Sequence, residues 1–126
     1  MPKTKRMLTE AEAKILEVLW DRPGQTMMEI TRALAEDTAW SKHTVTTLLK
    51  RMIEKETVAM DDSGPVRRYS PAIGREAVMR LETRSLLDRL FSGNASLLVN
   101  NLVESGELSR ADVEALLKTL DGTKEE

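Results

Sequence analysis

Trp40-Ser41-Lys42-His43-Thr44-Val45-Thr46-Thr47-Leu48-Leu49-Lys50-Arg51-Met52 separates into two faces when wound at 3.6 residues per turn. Val45, Leu48, Leu49 and Met52 fall at i, i+3, i+4 and i+7, one apolar stripe for a buried side. Lys42, His43, Thr46, Thr47, Lys50 and Arg51 take the other side. Ser41 is the predicted N-cap, with Trp40 as the hydrophobic residue before it. No acid occurs from Ser41 to Met52, although Asp and Glu (21) outnumber Lys and Arg (19) in the chain. A helix with this division suits the major groove of DNA, whose width admits one α-helix. Ser41, Thr44 and Thr47 are small enough to approach base edges and thymine methyls. Lys42 and His43 lie where base or phosphate contacts are possible, and Lys50 and Arg51 are better placed for phosphates, which fix register without reading sequence. The alternative for this face is plain solvation.

On the N-terminal side, Thr9-Glu10-Ala11-Glu12 has capping-box form, followed by Ile15, Leu16, Leu19 and Trp20 at helical spacing, and Pro23-Gly24 ends that helix. Thr26-Met27-Met28-Glu29 repeats the signature, and Met27, Ile30 and Leu34 form the stripe of a short second helix that Asp37-Thr38-Ala39 breaks. The Met pair is helix filler, and both tryptophans read as core. On the C-terminal side, Val58-Ala59-Met60 and Val66-Arg67-Arg68-Tyr69-Ser70-Pro71 flank the turn-rich Asp61-Asp62-Ser63-Gly64-Pro65, predicting a hairpin. Strand alternation sends Arg67 and Arg68 to opposite faces, so one of them is expected to reach a phosphate or the minor groove. Three helices and a basic hairpin make residues 1–73 a winged helix-turn-helix domain.

From Gly74 the pattern is helical only. One helix carries Val78, Leu81, Leu87, Leu90 and Phe91 and ends near Ser92-Gly93. A second, capped by Asn94 or Ser96, carries Leu97, Leu98, Leu102 and Val103 and ends near Ser105-Gly106. Ser109-Arg110-Ala111-Asp112 caps a third with Val113, Leu116, Leu117 and Leu120, and Thr123–Glu126 reads as disordered. Three helices in about 50 residues have little interior of their own in which to bury these stripes. Residues 74–126 are therefore read as a homodimerisation domain, centred on Leu87, Leu90, Phe91, Leu98, Leu102, Val113, Leu116, Leu117 and Leu120. The alternative is a monomer whose tail folds back. The fold class is mainly α with a small β-hairpin.

Composition removes several functions. Without cysteine there is no disulfide, thiolate metal site or cysteine nucleophile, and one histidine, His43, makes no histidine cluster. No carboxylate pair, phosphate loop or nucleophile signature stands out, so no catalytic residue, metal or cofactor is expected. No run approaches the roughly 20 apolar residues of a membrane span. No apolar stretch follows the basic Met1–Arg6, which reads as no signal peptide and a cytoplasmic protein. The net charge is −2, but residues 1–71 carry 12 Lys/Arg against 11 Asp/Glu, so a nucleic-acid face must arise by placement rather than bulk charge.

Leu8-Thr9-Glu10-Ala11-Glu12 through Ile15-Leu16-Glu17-Val18-Leu19-Trp20, the stretch Trp40–Arg51, the wing end Arg68-Tyr69-Ser70-Pro71 and the tail Ser96–Glu104 together resemble the penicillinase-repressor family of winged-helix regulators. The likeness covers nearly the whole chain, most specifically at the Trp-Ser helix start with its Thr-rich face. It implies a homodimer on palindromic operator DNA, often of β-lactam resistance genes. It also implies release when a membrane sensor protease, or a protease it activates, cuts the dimerisation tail. Carried onto this chain, that cut falls at Asn101–Leu102, or second at Asn100–Asn101. A copper-responsive branch uses a cysteine-rich tail motif that this chain lacks. Two departures stand out. Glu56 occupies the helix-to-wing turn where the family commonly has glycine, and the chain carries one residue more than typical members around Asn100-Asn101.

Two rivals to a DNA-binding repressor stay open: a winged-helix protein-interaction module that never touches nucleic acid, and a regulator released by a small-molecule ligand.

Overall fold

The computed structural model describes residues 8–124, so Met1–Met7 and the last two residues lie outside it. The helices are α1 Glu10–Asp21, α2 Met27–Ala33, α3 Ala35–Thr38, α4 Lys42–Glu54, α5 Arg75–Leu90, α6 Ala95–Glu104 and α7 Arg110–Lys124, and β1 Val58–Asp61 and β2 Arg68–Pro71 stand between α4 and α5. The chain divides into two compact units between Thr83 and Arg84, inside α5.

Local chemistry sets the helix starts. Thr9 and Thr26 each accept from the N3 backbone N–H, while Glu12 and Glu29 reach back to the cap backbone, closing two capping boxes. One helical turn, α3, was not expected. It is stopped by Ala39 in the left-handed region (φ 57°), and the helix predicted third is therefore α4. Four residues carry too little periodicity to announce themselves.

The first unit is built on Ile15, Leu16 and Leu19 of α1, Ile30 and Leu34, the α4 stripe Val45, Leu48, Leu49 and Met52, with Val58, Tyr69 and Val78 closing it. Trp20 and Trp40 are half-buried and pack against this core. Because Val78 belongs to the core and Trp20 Nε1–H donates to the Ile73 carbonyl (2.9 Å), the first turns of α5 are part of the first unit. Arg75 continues that join: its guanidinium lies 4.7 Å from the Trp20 ring centre and 2.8 Å from Glu17.

β1 and β2 pair antiparallel, Val58 with Pro71 through Asp61 with Arg68. Strand β2 starts at Arg68, two residues later than the sequence suggests, because the Asp61 carboxylate accepts from the Ser63 N–H (2.9 Å) and bends the chain into a loop that includes Arg67. Gln25 adds a bridge to Tyr69 on the free edge of β2.

The second unit holds the later turns of α5, with α6 and α7. Asn94 caps α6 and Ser109 with Asp112 caps α7. Thr123 and Lys124 are helical, which corrects the expected disorder there. Leu87 is buried, and Phe91, Leu98, Leu102 and Val113 are half-buried. Leu90, Leu116, Leu117 and Leu120 stay more than half exposed, and Leu97, Val99 and Val103 are also exposed, at 42 to 50%.

Candidate nucleic-acid interface

Helix α4 presents its polar side because its apolar stripe is consumed by the core: Val45, Leu48, Leu49 and Met52 are buried. Ser41, Lys42, His43, Thr46, Thr47, Lys50 and Arg51 are exposed, and Thr44 is half-buried. His43, Thr47 and Lys50 follow one another along this side at helical spacing, with Arg51 one turn beyond Thr47. Glu54, in the last turn, is the first acid on the helix. The face is thus cationic along its length, though the whole chain is acidic.

Its hydroxyls are not equivalent. Ser41 Oγ accepts from the Thr44 N–H (3.3 Å) and lies 3.4 Å from the Thr44 hydroxyl, so both are engaged in the cap. Thr47 Oγ1 donates to the His43 carbonyl (3.0 Å). Its hydrogen is spoken for, which leaves Thr47 with lone pairs and a methyl group to offer a base edge.

A buried ion pair that has no local signature in the sequence fixes the far end of α4. Lys55 Nζ lies 2.8 and 3.0 Å from the two oxygens of Glu12, a fully buried carboxylate that also accepts from the Thr9 N–H. Glu56 follows in the left-handed region (φ 66°). The Glu56 N–H donates to the Ile53 carbonyl and the Thr57 N–H to the Met52 carbonyl, a Schellman turn with a non-glycine residue at its left-handed position. Glu56 in place of glycine therefore means a strained backbone, not a different turn.

Sequence alternation leaves open which wing arginine is free; here Arg67 lies in the loop before β2 and Arg68 is engaged. Arg68 Nη1 donates to the Gly24 carbonyl (3.0 Å) and lies 3.9 Å from Glu29. For Arg67 no hydrogen bond or ion pair is found among the described residues, and it is exposed. Gln25, which no sequence pattern singles out, closes the other side. Its side-chain amide donates to the Val18 and Arg22 carbonyls at the end of α1 (2.8 and 2.6 Å), while its backbone pairs with Tyr69. A single residue bridging two elements carries no periodic signal.

The carboxyls around the wing base are held below their usual range. For Glu29 the chief cause is the Thr26 N–H, with Arg22 and Arg68 adding to it; for Asp61 it is the Ser63 N–H and hydroxyl, with Arg68 adding. In the tail, Asn101 is exposed and Leu102 half-buried within α6, and the Asn101 carbonyl accepts from the Ser105 N–H.

A three-helix core with an amphipathic helix α4 and a hairpin behind it defines the class: a winged helix-turn-helix protein. Solved structures of that class match. The DNA-binding domain of the repressor BlaI superposes with a TM-score of 0.52 at 28% identity, covering 60% of this chain and 90% of that one. The monomeric form of Bacillus licheniformis BlaI in complex with the blaP half-operator gives 0.50 at 27%, covering 56% and 87%. The fold is shared with the transcriptional regulator SlyA (TM-score 0.50, 16% identity, 94% and 75% covered). The sequence profile described as Penicillinase repressor matches residues 8–122, and the chain belongs to that family. Its relatives include the penicillinase repressors of Bacillus licheniformis (26% identity; 93% of this chain and 91% of that one) and Staphylococcus aureus (24%; 90% and 90%).

Proposed function

We propose that this chain is a transcriptional repressor that binds double-stranded operator DNA as a homodimer, with α4 in the major groove and the hairpin as a wing. The observation that carries the reading is the acid-free exposed face of α4 on a winged helix whose relatives are repressors, one of them structurally similar while bound to a half-operator. Ser41, Thr44, Thr46 and Thr47 face bases; Lys42, His43, Lys50 and Arg51 serve bases or phosphates; Arg67 supplies the wing contact. Retention on duplex DNA that falls steeply with salt tests this against a protein-interaction module, which shows no such dependence.

The exposed leucines of α5 and α7, with no buried residue in α6, support a second copy as the cover of the tail. Leu87 is already buried within the chain, so Leu90, Leu116, Leu117 and Leu120 carry the contact. Regulation of β-lactam resistance or related genes, and release by a cut at Asn101–Leu102 or Asn100–Asn101 under a membrane sensor protease, complete the reading. The scissile carbonyl is hydrogen-bonded inside α6, so cutting requires that helix to open locally, and the adjacent asparagines, poor helix formers, lower that cost. Intact-mass measurement of the repressor in cells exposed to a β-lactam tests it; induction with an uncut chain removes the proteolytic step. A second reading, release by a small ligand, would have the shallow, open depression lined by Phe91, Leu97, Asn100, Asn101 and Glu104 to use in the tail, and a ligand-dependent melting shift would reveal it.

A further inference from the structure

Besides the burial of Val58 and Tyr69 in the core, a short hydrogen-bonded seam joins the wing to the turn before α2. The Gly24 and Gln25 N–H groups both donate to the Tyr69 carbonyl (3.0 and 3.1 Å), and the Tyr69 N–H donates to the Gln25 carbonyl (2.8 Å). Arg68 sits beside this seam at the start of β2. Its guanidinium spans from the wing to the turn before α2, holding the Gly24 carbonyl at 3.0 Å with the Glu29 carboxylate at 3.9 Å. Glu29 is the N3 residue of the α2 capping box, where its carboxylate accepts from the Thr26 N–H, and it lies 3.8 Å from Arg22 as well. Asp61 faces Arg68 across the hairpin register.

We propose that Arg68 is a positioning residue, which sets the angle of the wing against α2 through Gly24 and Glu29, and that Arg67 alone makes the wing's DNA contact. The proposal rests on the DNA-binding reading above and deepens it. Two carboxylates already flank Arg68: Glu29 at 3.9 Å and Asp61 as its register partner, both held below their usual range chiefly by N–H donors with a smaller contribution from Arg68. A phosphate arriving at Arg68 would compete with them and with Gly24. Arg67 has no such competitor among the described residues.

Neutralising Glu29 separates the two roles by sign. If Arg68 were a phosphate contact, Glu29→Gln would free it and remove a negative charge near DNA, tightening binding. If Arg68 positions the wing, Glu29→Gln loosens the clamp and weakens binding, while glutamine still serves the capping box.

The test uses the full chain as wild type, Arg67→Met, Arg68→Met, Glu29→Gln and the Arg68→Met/Glu29→Gln double variant. Binding to an operator selected from random duplexes is measured against salt, and amide exchange at Tyr69 and Gln25 is measured without DNA. Arg67→Met should lower the log–log salt slope by about 0.9 for each phosphate that the side chain neutralises in the wild type. Arg68→Met and Glu29→Gln should each weaken binding about three- to tenfold at unchanged slope, the double variant should be no worse than the stronger single, and Tyr69 exchange should quicken in both. A slope reduced by Arg68→Met, tighter binding by Glu29→Gln, or Tyr69 protection unchanged in both variants would overturn the assignment. If the wild type binds no duplex, the DNA-binding reading fails, and exchange at Tyr69 still decides whether Arg68 and Glu29 hold the wing.

Discussion

At Glu56 the backbone holds φ 66° without the glycine that makes such a turn easy. A left-handed β-carbon costs about 1 kcal/mol or somewhat more, so Glu56→Gly should stabilise the first unit by about 1 kcal/mol, less the extra unfolded-state entropy of glycine. A urea midpoint shifted upward at constant m-value would show it. Thr47 belongs to the same scale. With its hydrogen committed to His43, it reads bases by lone pair and methyl, so Thr47→Ala should change preference at particular base pairs by about 1–3 kcal/mol. Lys50→Ala should weaken selected and random duplexes alike, and equal losses on both for Thr47→Ala would remove its base-reading role. Acid should act through Glu29, Asp61 and Asp112, whose carboxyls are lowered chiefly by cap or turn N–H groups at Thr26, Ser63 and Ser109. Because their folded values lie below the ordinary ones, the stability they add is complete above the ordinary carboxylate range and drains away as pH falls through their depressed values. Melting followed into acid should show that fall, and a Glu29→Gln chain should show a shallower one. Residues such as Thr9, Thr26 and Ser109 were legible in the sequence because a cap and its partner lie three positions apart. The ion pair of Glu12 with Lys55 was not, since 43 positions separate them and only the fold brings them together.

Among the elements, α4 was the clearest in the sequence and carries the most structure. Its apolar stripe repeats for two full turns, and the same four residues are buried in the core. Its far end depends on the Lys55–Glu12 pair. Lys55→Met would leave a fully buried carboxylate without its partner and should cost about 3–5 kcal/mol, read as a lowered denaturation midpoint. Replacing both residues by apolar ones of similar volume should recover much of that loss, and a Lys55→Met chain as stable as the original would contradict the role given to the pair. The hairpin was legible as a hairpin, but its edges were not. A turn made by Asp61 and Ser63 delays β2 to Arg68, and a one-residue bridge at Gln25 has no pattern by which a sequence could reveal it. In α6 the leucines and valines spread around the helix, and none is buried.

The chain as a whole places a helical unit after a winged-helix unit, and the join is not where the sequence pattern turns helical. Ile73 and Val78 complete the first core, and the Ile73 carbonyl satisfies Trp20, so a cut after Pro71 would unmake that core while a cut after Thr83 spares it. The fragment ending at Thr83 should fold and bind DNA far more weakly than the full chain, because two half-sites are no longer coupled. Full-length protein should sediment as a dimer at micromolar concentration; a monomer there would end the dimer proposal. With Lys42, Lys50, Arg51 and Arg67 from each subunit, roughly six to eight phosphate contacts give a log–log salt slope of about −5 to −7 despite the chain's negative charge. The most direct measurement is selection of duplexes from a random pool by the full chain, with each enriched site titrated against the wild type and an α4 variant lacking Thr47 and Lys50. The account predicts a palindrome whose half-sites lie about one helical turn, roughly 10 base pairs, apart, bound tightly by the wild type and lost in the variant. No enriched site, or a site that the variant binds as tightly as the wild type, would contradict it.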